Sequence, residues 1–327
     1  GLLLQNLGAP LSDTIHERPR VYLTNALTGW EPISPEREKA FQAGFPELIE
    51  EQTGARKVKQ EVPILVILGN PPYNAFAGTA ATKEEKDSVA PYKEGLIKKW
   101  GIKKFNLDDP YVRFFRMAEH RIVAQTRQGV VCFISNFSYL SEPSFVVMRD
   151  HFLKEFDQLW FDNMNGDSRE TGKRTRDGKP DPSVFSTKYN KAGIRKGTAI
   201  TILARTAEHK GQPVVRYRQF WGSNKRSELL DTAQAPDVNG DYEILRPALE
   251  NRYSFRKSDT SSIYLIWPKL TELSILALQG MDEDRANALV GIEPTRLEKL
   301  MEKYFEKSFT LEQFAALETG LSRKSAG

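Results

Sequence analysis

The strongest constraint on this chain comes from Pro63 to Gly69, a continuous apolar run that stops at Asn70-Pro71-Pro72-Tyr73. An apolar stretch of strand length, without polar alternation, predicts a strand buried on both faces of a parallel sheet. Two consecutive prolines then forbid further strand or helix. In open α/β sheets ligands bind outside the carboxyl ends of the strands, which is where this turn falls.

The rest of the chain repeats the alternation. Val21 to Leu27 reads as an early strand, and Pro35 to Thr53 as a helix with Phe41, Phe45, Leu48 and Ile49 at helical spacing. Asp109 to Thr126 reads as a second helix: Asp108 or Asp109 can cap it, Pro110 suits its first turn, and Tyr111, Phe114, Phe115 and Ala118 form an apolar stripe. Val130 to Ile134 is a further buried strand, Phe145 to Phe156 an amphipathic helix, and Gln158 to Asn163, Thr198 to Leu203 and Val214 to Phe220 are strands. Strands alternating with helices imply an α/β fold with a largely parallel sheet, and the last two, close together, suggest an antiparallel edge. Beyond Trp267 the pattern turns helical over Lys269–Gln279, Asp282–Leu289, Pro294–Phe305 and Leu311–Leu317. The expected organisation is an α/β domain over 1–220, a connector over 221–267 and a small helical unit over 268–327.

Composition narrows the class. No apolar run approaches the length needed to span a bilayer. The single cysteine, Cys132, excludes an internal disulfide and a cysteine-rich zinc site, and the four histidines show no metal-ligand spacing. A cytoplasmic, metal-free protein is the plain expectation. The net charge of +4 is only mildly basic, but its distribution is uneven. Nine Lys or Arg face four acids between Asn165 and Lys196, so this Gly-, Pro- and Ser-rich loop carries about +5. Lys173, Arg174, Arg176 and Lys179 are its candidate contacts to a phosphate backbone, with a solvated charged loop as the alternative.

The Asn-Pro-Pro-Tyr turn has a chemical use. An exocyclic amine on adenine is a poor nucleophile because its lone pair is delocalised into the ring. The side-chain oxygen of Asn70 and the carbonyl of Pro71, aimed at its hydrogens, would shift the nitrogen towards tetrahedral geometry and stabilise the charge that develops as a methyl group arrives. Pro72 stiffens the turn, and Tyr73 can stack on the base, a contact worth roughly 1–3 kcal/mol. The turn points to amino-group methylation without choosing between DNA, RNA and protein amides. A merely tight surface loop is the alternative.

Taken in order, several stretches resemble the γ-type adenine-N6 methyltransferase domain of large restriction–modification enzymes, especially the single-polypeptide, ATP-dependent kind. They are Val21–Leu27, Pro63–Asn74, the Asp109–Phe114 helix start, Phe133–Leu140, Asn165–Ser168, Val184-Phe185, Gly197–Ile200 and Phe220-Trp221-Gly222, with Leu317–Leu321 in the helical tail. The resemblance implies a Rossmann-like sheet, S-adenosylmethionine as cofactor and double-stranded DNA as partner. It also implies Asn25 as a hydrogen-bonding partner of the cofactor's adenine, Phe114 as an aromatic wall of the cofactor pocket, and Phe185 as the aromatic facing the flipped adenine from the side away from Tyr73. Phe114 can equally be core, and Phe185 a loop anchor. Adenine N6 cannot be reached within stacked duplex, so the nucleotide must rotate out at a cost of a few kcal/mol.

The resemblance also implies a Phe-x-Gly-x-Gly cofactor loop and an acidic ribose ligand upstream of Val21, neither of which is visible; Gly1 to Gly8 does not substitute. The chain is therefore expected to be a piece whose upstream third lies elsewhere, binding cofactor poorly by itself, with inactivity alone as one outcome. No Walker loop or nuclease centre is recognisable, so nuclease, helicase and most target-recognition modules are expected outside it. The competing functions are an amino-group methyltransferase acting on RNA or a protein amide, and a non-catalytic DNA-binding module.

Overall fold

The computed structural model describes residues 21–29, 46–73, 82–105, 107–191, 193–234, 236–257, 262–268, 270–273 and 293–306. The chain divides into two compact units, Gly1–Ser261 and Ser262–Gly327. In the first unit the elements run α1 (Pro46–Glu61), β1 (Val66–Gly69), α2 (Lys83–Ser88), α3 (Ala90–Lys93), α4 (Pro110–His120), β2 (Gly129–Asn136), α5 (Val146–Glu155), β3 (Gln158–Asn163), β4 (Thr198–Arg205), β5 (Val214–Gln219), α6 (Lys225–Ala233) and β6 (Glu243–Leu245). The second contains α7 (Ser262–Leu265), α8 (Leu270–Leu273) and α9 (Pro294–Phe305), the last with the bounds its periodicity predicts. The helices expected over Asp282–Leu289 and Leu311–Leu317 lie outside the described residues, as does the Pro35–Phe45 part of the first expected helix. No helix among the described residues is long and apolar enough to cross a membrane.

The six strands form one mixed sheet in the order β1-β2-β4-β3-β5-β6. β1 and β2 are parallel, as are β3 and β5, while β4 runs antiparallel between β2 and β3. The antiparallel edge therefore exists, but β6 makes it by pairing with β5; β4 and β5 are not neighbours. The cause lies in the loop between them. The Asp157 carboxylate accepts hydrogen bonds from the Thr206 amide and hydroxyl, His209 Nδ1 and the Lys210 amide. This carries the chain across the amino end of β3 before β5 begins.

The core fills one side of β2 and β3. Phe115 of α4 packs edge-on to Phe133 of β2 (centroids 5.1 Å) and meets Tyr139 and Phe152 at 5.0 and 5.4 Å. Each such side chain stabilises the fold by about 1.5–3 kcal/mol through burial. Tyr111, Phe115 and Ala118 of the predicted stripe are buried, and Phe114 stands half-exposed at its margin. The helix is α-helical only to His120, then opens into a π-helical turn over Arg121–Thr126. Apolar spacing does not distinguish the two forms. Asp109 occupies the cap position without a side-chain capping bond.

Two sequence expectations fail. β1 is not buried on both faces: Val66 and Leu68 are 57% and 71% exposed, while Ile67 packs against the core. Among the described strands β1 pairs only with β2, so it is an edge, and an unbroken apolar run reports composition rather than coverage. Val21–Leu27 is not a strand either; 21–25 have no regular secondary structure and lead into a turn at 26–28. The Lys59 ammonium draws that turn closed by donating to Thr24 Oγ1 and to the carbonyls of Asn25 and Thr28 at 2.7–2.8 Å.

Burial opposes the charge of Asp157, but its donors hold the carboxyl down at about 2, below the ordinary 3.8. A carboxylate with a depressed folded-state value contributes stability that is complete above about pH 4 and is lost as pH falls towards 2. Asp157→Asn is expected to lower the melting temperature at pH 7, by the equivalent of about 1–3 kcal/mol. It should also flatten the loss of stability between pH 4 and 2. Equal acid slopes in variant and parent, by thermal unfolding, would contradict the assignment.

Candidate active site

Because β1, β2, β3 and β5 run the same way, Gly69, Asn136, Asn163 and Gln219 end at one edge, and antiparallel β4 begins there at Thr198. Both buried strand-ending asparagines turn the chain. Asn136 Oδ1 accepts the Ser138 amide at 2.9 Å, and Asn163 Oδ1 the Asn165 amide at 3.0 Å. The Phe137 amide donates to the Gly197 carbonyl, and Met164 to Thr198, sealing the segments together.

The Asn70–Tyr73 turn sits at this edge. Asn70 is exposed, Pro71 buried, Pro72 exposed and Tyr73 half-buried. The Tyr73 hydroxyl donates to Asn70 Oδ1 at 2.7 Å and approaches the Ile134 carbonyl at 3.4 Å. The phenol ionises above its ordinary value because burial disfavours the anion. An amide oxygen has two acceptor positions, so Asn70 Oδ1 keeps one for a further donor. Phe185, distant in sequence, reaches the same place: its ring centroid lies 6.1 Å from that of Tyr73 at a 48° tilt.

The loop that brings Phe185 here is built on two buried carboxylates. Asp167 accepts the amides of Arg169, Glu170 and Gly197. Burial opposes its charge, but these amides hold the carboxyl below its usual range. Asp181, fully buried, accepts the amides of Gly166 and Gly222 and pairs with Lys225. The predicted cationic contacts are differently placed. Lys173 is half-buried, with its ammonium on the Ile194 carbonyl at 3.0 Å. Arg174 donates to the Gly178 carbonyl, and Lys179 pairs with Asp177 at 2.8 Å in the open. That pairing, with Thr175, holds the Asp177 carboxyl at about 2. Arg174, Arg176 and Lys179 are exposed.

Asn25 and Phe114 are linked indirectly. Asn25 Nδ2 donates to Glu85 Oε1 at 2.8 Å, its Oδ1 accepts the Leu27 amide, and Glu85 Oε2 pairs at 3.2 Å with Arg113, the neighbour of Phe114 on α4. One amide hydrogen of Asn25 and a half-exposed aromatic face thus stand on tethered segments, which fits in kind the binding of an adenosyl group. Among the described residues no cluster of three or more His, Cys, Asp or Glu is grouped to hold a metal.

Sequence reasoning missed three parts of this edge. Lys225 carries no motif and lies in the stretch expected to be a connector. Arg256, which lies over the Phe137 ring at 5.3 Å and pairs with Glu170 at 2.7 Å, sits in a stretch with no motif. A cavity of about 480 Å³ opens beside the end of β2, walled in part by Lys104, Tyr111, Asn136, Ser138 and Lys196. Of the sequence signals, only Asn163, which ends the predicted Gln158–Asn163 strand, is of a type that turns the chain through its side chain.

Gly69 makes the turn's entry possible. A Cβ there would lie 2.9 Å from the ring of Phe133, which is buried and cannot yield. Gly69→Ala is expected to destabilise the protein by about 1–3 kcal/mol through overpacking. An unchanged melting temperature would show that the strand shifts freely.

No model of a known protein family matches the chain, and no curated protein sequence does. Its fold is similar to parts of three solved DNA complexes. One is the cryoEM structure of the DrdV–DNA complex, with 22% identity and a TM-score of 0.50 over 67% of this chain and 20% of that one. Another is the ATP-dependent Type ISP restriction-modification enzyme LlaBIII bound to DNA, with 20% identity and a TM-score of 0.53 over 73% of this chain and 15% of that one. The third is a nuclease-deletion mutant of the Type ISP restriction-modification enzyme LlaGI in complex with a DNA substrate mimic, with 25% identity and a TM-score of 0.51 over 70% of this chain and 21% of that one. The chain thus spans about a fifth or less of the length of these proteins.

Proposed function

We propose that this chain carries the methyl-transfer region of a restriction–modification enzyme, acting on the N6 amine of an adenine rotated out of duplex DNA. The observation that carries the proposal is the meeting of Tyr73 and Phe185 beside the exposed amide of Asn70 at the carboxyl edge of the sheet. Two rings stacking on both faces of a base need centroids about 7 Å apart, twice the 3.4 Å rise between stacked bases. At 6.1 Å and a 48° tilt the two rings touch each other, so to admit a base they must part and turn. The similarity to enzymes solved with DNA favours DNA over RNA or a protein amide.

In this mechanism Tyr73 and Phe185 recover part of the unstacking cost by covering the base. Asn70 Oδ1 accepts one N6 hydrogen with its remaining lone pair, and the Pro71 carbonyl the other. Both oxygens draw positive charge onto the amine hydrogens as nitrogen gains its fourth bond, and one proton then leaves N6 to solvent. S-adenosylmethionine would supply the electrophilic methyl group, with Asn25 and Phe114 holding its adenosyl part. Arg174, Arg176 and Lys179 serve as contacts to phosphate, whereas Lys173 would first have to leave the Ile194 carbonyl.

The test is Asn70→Ala in the complete enzyme that contains this region, with methyl transfer from labelled S-adenosylmethionine to duplex DNA measured alongside DNA affinity. Turnover is expected to fall by about 100-fold or more, as when one oriented group facing a developing charge is removed. DNA affinity should hardly change. Turnover within twofold of the parent would remove Asn70 from the chemistry.

A further inference from the structure

Lys225 occupies a position that ordinary energetics disfavour. It is the first residue of α6, where the helix dipole repels a cation, and it is 2% exposed, where desolvation penalises an ammonium. Its surroundings explain the placement. Lys225 Nζ lies 2.7 Å from Asp181 Oδ1 and donates to the Met164 carbonyl at 2.6 Å, just past the end of β3. Asp181 also takes the Gly166 amide at 2.8 Å and the Gly222 amide at 2.7 Å. Three separate pieces of chain, the exit of β3, the long loop and the segment entering α6, are thereby joined at one carboxylate.

The junction lies four residues before Phe185, and the chain between is fixed at each step. A Cβ on Gly166 would come within 2.9 Å of the Pro182 carbonyl and 3.0 Å of Ser183 Cα, so this stretch rests directly on the glycine backbone. The buried Ser183 hydroxyl accepts the Phe185 amide at 3.3 Å, and the Ser183 carbonyl accepts the Ser186 amide at 2.9 Å, closing a turn with Phe185 inside it. Gly193 packs against the other side of that turn, where a Cβ would lie 2.8 Å from both Ser183 Cβ and Ser186 Oγ.

We propose that the Asp181–Lys225 ion pair is a positioning device that holds the Phe185 ring opposite Tyr73. Its use in capturing a base rests on the function proposed above; its geometry does not. A pair serving stability alone would not need to join the β3 exit to the turn that carries a half-exposed aromatic. Neither residue touches the base, so both act through Phe185.

The experiment uses Lys225→Met and Asp181→Asn in protein carrying 4-fluorophenylalanine at position 185, with fluorine NMR as the readout. The Tyr73→Ala variant calibrates the shift that follows when the facing ring is lost. The ion-pair variants are expected to move or broaden the resonance as far as Tyr73→Ala does, while circular dichroism remains that of the parent. Asp181→Asn preserves the side-chain shape and one acceptor, so it carries the test if Lys225→Met fails to fold. A folded variant with the parent resonance would overturn the proposal. Fluorescence of 2-aminopurine at the methylated adenine then separates the two ideas. A severalfold weaker flipping signal supports both; a shifted resonance with an unchanged flipping signal keeps the positioning role and removes the base-capture role of Phe185.

Discussion

The antiparallel insertion of β4 between β2 and β3 governs how this molecule is assembled. Both neighbours end where β4 begins, so Asn136, Asn163 and Thr198 meet at one edge. A chain that leaves β3 and must enter β4 at that same edge has to loop out and return without crossing the sheet. The segment 164–197 is that loop, and it stays at the carboxyl end of β3 for purely topological reasons. The edge also carries the turn that follows β1, because β1 is parallel to β2 and ends beside Phe133. The sheet order thus brings the loop that carries Phe185 to the same edge as the turn that carries Tyr73.

Topology brings the loop near; buried carboxylates give it a shape. A 34-residue excursion that includes several Gly, Pro and Ser residues has high conformational entropy, which ordered contacts must offset. Asp167 and Asp181 do so by accepting backbone amides from both ends of the loop and from the segment beyond β5. Hydrogen bonds to charged groups contribute about 1.5–3 kcal/mol each, roughly twice a neutral bond. On the opposite side of the sheet Asp157 does the same for the β4–β5 loop. Three aspartates thus replace, in the irregular parts of the chain, the order that hydrogen-bonded ladders give the strands.

Much of this was legible in the sequence, for identifiable reasons. The bounds of β3 and the course of β2, β4, α5 and α9 follow from apolar periodicity and β-propensity, which act locally. The Asn70–Tyr73 turn was visible because two prolines leave few conformations. Phe185 was found through family resemblance, since nothing in its local sequence marks it. What escaped detection depends on distant partners. Asp181 counts in the sequence as one negative charge among nine positive ones, yet the fold buries it as an acceptor. Val66 and Leu68 look like core but lie on a strand with one described neighbour. Val21 to Leu27 has strand-like residues, but Lys59, an α1 side chain, bends it into a turn.

The central claim is chemical: the edge activates the amine of an extruded adenine. It is tested most directly by incubating the complete enzyme that contains this region with duplex DNA and S-adenosylmethionine bearing a deuterated methyl group, then digesting the DNA to nucleosides for mass spectrometry. The account predicts that the label appears as N6-methyldeoxyadenosine. Label found on cytosine instead, or DNA left unlabelled, would contradict it.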